Sequence, residues 1–160
     1  MVAARTAPNR SVRFGGEHDG LDDRGRRDAA ELASAIGAGH RRAVVGPETS
    51  VIETARSARV SYTVDSGLAS LDVGQWCGRS PEQIDPDDLG RWFTDPAWTG
   101  HGGESVDAFV ARIRTAVRRR ACASPMIVVA GPVAQALLCD GSAAFFTVAV
   151  RPASTHIVTI

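Results

Sequence analysis

The sequence predicts a three-layer α/β/α domain in which a mostly parallel sheet is covered by helices on both faces. Two observations carry this expectation. Short apolar runs alternate with stretches of helical periodicity along most of the 160 residues, the pattern of strands feeding crossover helices. The run Met126–Val129 is continuously apolar and short, as expected of a strand buried on both faces.

Each element follows in order. Residues 1–10 carry two arginines and no apolar signal-peptide core, and read as a flexible leader. Ser11–Phe14 is a candidate first strand running into Gly15-Gly16. A helix is expected over Asp23–Ile36, with Leu32, Ala33 and Ile36 on one face and Gly37 and Gly39 ending it. Arg42–Val45 is the next strand, and Pro47 opens a helix carrying Val51, Ile52 and Ala55. Ser61–Val64 is a third strand.

Gly67–Gly103 reads as an irregular insertion, holding Trp76, Trp92 and Trp98 and only short helical pieces such as Asp87–Phe93. The tryptophans are expected to pack the insertion. A long helix follows over Glu104–Ala121, where Val106, Phe109, Val110, Ile113 and Val117 recur at helical spacing. After Met126–Val129 come Gly131-Pro132, a short helix to Leu138, and two β-rich runs, Phe145–Val150 and His156–Ile160. The expected organisation is one domain over residues 11–160 with its insertion at about 67–103.

Composition narrows the function. The 18 basic and 18 acidic residues cancel, so no long-range field draws the chain to nucleic acid or an anionic membrane. Arg118-Arg119-Arg120 closes a helix, where the dipole favours cations. Every basic residue besides histidine is arginine, the mark of a GC-rich genome of actinobacterial type, and Schiff-base or P-loop lysine chemistry is excluded. Cys77, Cys122 and Cys139 show no metal-ligand spacing and read as reduced thiols of a cytoplasmic protein. No metal and no cofactor is expected, and no run is long enough to span a membrane.

Several local patterns then fall in a recognisable order. Val12-Arg13-Phe14-Gly15 stands where one family has a strand ending in Arg-His-Gly, and Leu21-Asp22-Asp23-Arg24-Gly25-Arg26 where it has Leu-Thr-x-x-Gly. Gly46-Pro47-Glu48-Thr49-Ser50-Val51-Ile52-Glu53-Thr54-Ala55 follows its Ser-Pro-Leu-x-Arg-Ala-x-Glu-Thr-Ala. Leu68-Ala69-Ser70-Leu71-Asp72-Val73-Gly74-Gln75-Trp76-Cys77-Gly78 follows Leu-x-Glu-x-x-x-Gly-x-Trp-Glu-Gly, and Gly102-Gly103-Glu104-Ser105 matches Gly-Gly-Glu-Ser. Val128-Val129-Ala130-Gly131-Pro132-Val133 lies where a strand meets Thr-His-Gly-Gly. Over Ser11–Ile160 the chain resembles the histidine phosphatase (phosphoglycerate mutase-like) superfamily, as a degenerate member lacking the catalytic histidines.

That resemblance implies a phosphohistidine nucleophile, two arginines and a second histidine on the phosphoryl oxygens, and a carboxylic acid for the leaving group. On this sequence it implies Phe14 at the nucleophile, Ser50 at the second arginine, Ser70 at the acid and Ala130 at the second histidine, with Arg13 retained. The loop before the first helix is expected to be cut to Gly16–Gly20. Losing one transition-state donor costs about two to three orders of magnitude, and losing the nucleophile removes the mechanism.

The remaining crevice is expected at the sheet's C-terminal edge. Its substrate-binding residues would be Arg13, Phe14, Glu17, Ser50, Ser70 and Ala130, with Asp19 nearby; Arg13 at a buried strand end would need Glu104, Glu17 or Asp19 as partner. His18, His101 and Glu104 are the acid–base candidates, His18 on a polar turn and His101 on a mobile part of the insertion. Either histidine also fits a purely structural or solvated position. His40 and His156 read as ordinary surface or strand residues.

Three functions are open. The first is a repurposed enzyme acting on a small organic metabolite by cyclisation, dehydration or isomerisation, in actinobacterial specialised metabolism. The second is a non-catalytic pseudoenzyme acting as a binding or regulatory subunit, in a homodimer or with a partner enzyme. The third is a residual phosphatase using His18 or His101.

Overall fold

A computed structural model describes residues 1–6, 12–36, 42–119 and 126–158. Ser11, Gly37, Gly39, His40, Arg120, Ala121 and Cys122, on which parts of the sequence reading fall, lie outside the described residues, as do residues 7–10 and 159–160.

The sheet is parallel. β1 (Arg42–Val45) lies between β2 (Ser61–Val64) and β3 (Ile127–Val128), with Val44 opposite Ile127 and Val45 opposite Val128. Alternation along these short strands divides the core. Val44 and Val129 face one cluster with Phe109, Ile113 and Val133, while Ala43, Val45 and Val128 face another with Val51 and Ala55. Helices therefore cover both faces: α1 (Asp23–Ala35) and α2 (Thr49–Ser57) on one side, α4 (Val106–Arg118) and α5 (Gly131–Leu138) on the other. α3 (Pro86–Thr94) lies in the insertion.

The expected leader is corrected for residues 1–6, which belong to the sheet. Val2 bridges Val129 in parallel. Ala3 N donates to Val129 O at 2.8 Å, and Val129 N to Met1 O at 3.0 Å. On the other side Val2 N donates to Ser154 O and Ala153 N to Ala3 O. Val2, Ala3 and Ala4 are all buried. Alanine is a poor strand former, so Val2-Ala3-Ala4 carries little strand signal even though all three of its N–H groups are hydrogen-bonded.

The expected strand at Ser11–Phe14 is corrected in turn. Residues 12–14 are not in a strand, and Val12 is exposed. Phe14 N donates to Arg79 O, and Gly78 N donates to Phe14 O, so this loop is laced to the insertion.

The long helix matches expectation, and all five stripe residues are buried. Its N-cap Ser105 accepts from Ala108 N at 3.1 Å. Phe145–Val150 does not form the expected strand. Ser142–Thr147 is a 3₁₀ helix that turns Phe145 onto Phe109 (5.9 Å between ring centroids) and Phe146 onto Trp92 (4.6 Å). The β-rich composition is overridden by aromatic packing. Residues 156–158 are likewise not in a strand. Among the described residues no helix is long and apolar enough to cross a membrane.

Candidate active-site cleft

Parallel strands end on the same edge, so the loops leaving β1, β3 and the opening segment converge there. They enclose a cleft of about 740 Å³. The opening segment delivers Thr6, the β1–α2 turn delivers Glu48, the first turn of α2 delivers Ser50, the start of the insertion delivers Ser70, and the β3–α5 turn delivers Ala130. The loop before α1 forms one side with Arg13, Phe14, Glu17, His18 and Asp19. All six expected substrate-binding residues, and His18, thus line one cavity.

Arg13 reaches it differently from expectation. It is an exposed loop residue, because residues 1–6 occupy the strand position it was assigned. The pair at that strand end is Arg5-Thr6. Arg5 is turned outward onto Asp22 at 2.8 Å, while Thr6 lines the cleft. The loop between this strand end and α1 is therefore long, not cut to Gly16–Gly20.

Two of the acid–base candidates lie elsewhere. His101 is 1% exposed, and its Nδ1 accepts from Gly103 N at 2.9 Å. Its ring lies 5.1 Å from Trp76 and 5.3 Å from Trp98. Burial lowers its pKa, so it is held neutral inside the insertion instead of swinging over a ligand. Glu104 is locked in a two-pronged pair with Arg112, at 2.8 Å (Nε to Oε1) and 2.7 Å (Nη2 to Oε2), and does not line the cleft.

The residue that sequence reasoning missed is Glu48. It is the N-cap of α2, but its side chain makes no capping bond. The carboxyl instead turns to the cleft floor, where Oε1 accepts from Ser70 N at 2.5 Å. Glu48 is 4% exposed, and Oε2 has no hydrogen-bond partner among the described residues. Burial raises its pKa, and the charge of Glu17 adds to the rise; its own backbone N–H, the Ser70 N–H and Arg112 act in the other direction. The result is a carboxyl that holds its proton above the ordinary carboxylate range. Glu48 follows Pro47 at a helix start, where an acidic residue ordinarily reads as a cap, so nothing local marked it.

Arg112 holds the floor in place. Its guanidinium also donates to the carbonyls of Gly67 (3.1 Å) and Ala69 (3.2 Å), fixing the loop whose Ser70 N–H meets Glu48. Arg112→Met is expected to lower stability by about 1.5 kcal/mol through these lost charge-assisted bonds. In a thermal melt that is a fall of roughly 3–6 °C.

The sequence profile of the histidine phosphatase superfamily (branch 1) matches residues 3–160. The chain belongs to this superfamily. The match begins ahead of Arg13, in keeping with residues 1–6 as the superfamily's opening strand. A glucosyl-3-phosphoglycerate phosphatase of Mycobacterium tuberculosis is 28% identical over 113 residues, 66% of this chain and 51% of that protein. The chain thus spans about half the length of the curated relatives it matches. A solved mycobacterial glucosyl-3-phosphoglycerate phosphatase in complex with VO3 superposes with a TM-score of 0.79 at 26% identity, covering 96% of this chain and 87% of that one. A solved Thermus thermophilus protein, TTHB049, shares the fold, with a TM-score of 0.72 at 23% identity, over 86% of this chain and 81% of that one.

Proposed function

We propose that this superfamily member has lost phosphohistidine chemistry and promotes a proton-transfer reaction on a small organic metabolite in the cleft. The observation that carries this reading is the buried Glu48 carboxyl on the cleft floor, held by Ser70 N where the family resemblance implies the proton-donating acid. With Thr6 at the strand end, the position of the attacking imidazole offers only a hydroxyl. Ser50 and Ala130 stand at the remaining phosphate-holding positions, and neither carries charge. Among the described lining residues, the carboxyls of Glu17, Asp19 and Glu48 stand against one guanidinium, Arg13. That balance disfavours a phosphate ester and suits isomerisation, cyclisation or dehydration, which need positioning and one acid–base group.

In a dehydration, Glu48 would give its proton to a departing hydroxyl, water would leave, and the adjacent C–H proton would return to the carboxylate. Glu48 ends as it began, and His18 at the cleft mouth could exchange that proton with solvent. Arginine in place of lysine throughout, the free thiols of Cys77 and Cys139 and the mycobacterial relatives support a cytoplasmic role in actinobacterial specialised metabolism.

The test is incubation of the purified chain, and of Glu48→Gln, with a small-molecule extract followed by mass spectrometry. The wild type should convert a metabolite to an isomer or to a product lighter by one water, and the variant should not. p-Nitrophenyl phosphate should remain intact; clear orthophosphate release that disappears in His18→Ala would replace this reading with residual phosphatase activity. A metabolite retained unchanged would favour a non-catalytic binding subunit.

A further inference from the structure

Gly46 follows the last residue of β1 and is buried. Its backbone lies outside the left-handed region, so its conformation does not call for glycine. Space does. A Cβ on Gly46 would lie 2.5 Å from Glu48 Oε2 and 3.1 Å from Leu68 O. The carboxyl that meets Ser70 N through Oε1 thus puts its other oxygen where a side chain at position 46 would go. The place is fixed, because Gly46 N donates to Val128 O at 3.0 Å and Asp65 N donates to Val45 O at 2.9 Å. We infer that Gly46 is a positioning residue for Glu48: its missing side chain is the seat of the carboxyl, and one methyl group there turns the carboxyl off the cleft floor.

This inference rests on the reading of Glu48 as the proton-holding acid and names what holds it in that role. Oε1 has a donor in the Ser70 N–H, whereas Oε2 is buried with no partner among the described residues. The Leu68 carbonyl beside the seat can only accept. A seat that shuts out water and offers no donor favours the neutral acid. Glu17, from the loop before α1, strengthens that preference, and Arg112 of α4 opposes it. The nearest obstacle to a methyl group is the end of a flexible side chain, and the backbone contact at Leu68 O is the looser one. The carboxyl therefore gives way first, toward solvent or the N–H groups that open α2, and the fold survives.

Thermal melts of Gly46→Ala, Glu48→Ala and the double variant between about pH 4 and pH 8 test the seat. Stability from a seated, neutral carboxyl is present in acid and is lost as pH rises through its folded pKa. A solvated carboxyl contributes at neither end, so the deficit of Gly46→Ala is expected to be largest in acid and to shrink toward neutrality. With Glu48→Ala the seat is empty, and adding Gly46→Ala should then cost little at any pH. In the metabolite assay, Gly46→Ala should lower turnover about a hundredfold, the effect of displacing a reacting group by about an ångström. A deficit that is equal at every pH, or equal with and without the Glu48 carboxyl, would overturn the seat, because the methyl group would then be meeting backbone alone. Failure to fold in both backgrounds would overturn it too, whereas failure confined to the background that keeps Glu48 would support it. A deficit that depends on pH and on Glu48, with turnover intact, would support the seat and remove Glu48 from the proposed chemistry.

Discussion

Glu48→Gln is expected to raise the thermal midpoint at pH 8 and to leave it unchanged near pH 4. The sign follows from the direction of the Glu48 shift. Burial raises the folded-state pKa above the ordinary 4.5, so between 4.5 and the folded value the native chain holds a proton that the unfolded chain has released. Stability contributed at this site is fully present below 4.5 and declines as pH rises through the folded pKa, where the buried carboxyl must ionise. Glutamine has no charge to bury, and its amide oxygen can still accept from Ser70 N. The variant's advantage should therefore be absent in acid, grow through the window and level off above it. Thermal melts across that range, with Glu17→Gln as the control for the neighbouring charge, measure it directly. If Glu48→Gln is instead destabilising at pH 8, the attraction of Arg112 outweighs burial, Glu48 is held ionised in the fold, and it cannot act as the proton-holding acid. The same substitution that stabilises the fold should abolish turnover, as expected where a functional group is kept at a cost to stability.

Much of the scaffold was legible because its motif residues make backbone contacts that few other residues could make. Gly74 and Gly103 come from motifs far apart in sequence, yet they are packed against each other. A Cβ on Gly103 would lie 2.3 Å from Asp72 O, and one on Gly74, where φ is +50°, would lie 2.3 Å from His101 O. Two hydrogen bonds seal the same contact, Gln75 N to His101 O and Glu104 N to Asp72 O. The pattern Glu53-Thr54-Ala55 has a similar cause. Thr54 Oγ1 accepts from Ala4 N at 2.9 Å and Glu53 Oε2 accepts from Leu21 N at 2.7 Å, so both tie α2 to the opening of the chain. These contacts hold the fold whatever chemistry the cleft performs, and they suffice for the family to be read.

What was not legible has equally local causes. Val2-Ala3-Ala4 lacks the branched residues that mark a strand, and the first Arg in a strand-like context further on, Arg13, took its place in the motif. Glu48 was hidden in plain helix-start chemistry, since only the path of Gly67–Ser70, clamped by Arg112, turns its carboxyl away from the cap. His101 lies on the irregular insertion, where mobility is the expectation, and it sits between two glycines. Those glycines instead let the backbone fold tightly enough to bury the ring against Trp76 and Trp98.

The placement of residues 1–6 in the sheet leads to a prediction of opposite sign from the leader reading. Gly25 lies in the first turn of α1, its N–H donating to Asp22 Oδ1 at 2.6 Å, and a Cβ there would sit 2.0 Å from Arg5 O. The obstacle is backbone, so no rotamer change relieves it; either α1 or the strand end must move by more than an ångström. Asp22 N also donates to Arg5 O, and Arg5 Nε binds Asp22 Oδ2, so the strand end is pinned to the helix start from several directions. Gly25→Ala gains about 1 kcal/mol of helix propensity but forces an overpacked contact costing about 3 kcal/mol or more. The net expectation is a loss of at least about 2 kcal/mol, a fall of roughly 4–8 °C in the melting temperature. It also displaces Thr6, and should therefore weaken ligand binding in the cleft. Were the first ten residues a flexible leader, Arg5 would offer no obstacle, and the same substitution would be stabilising.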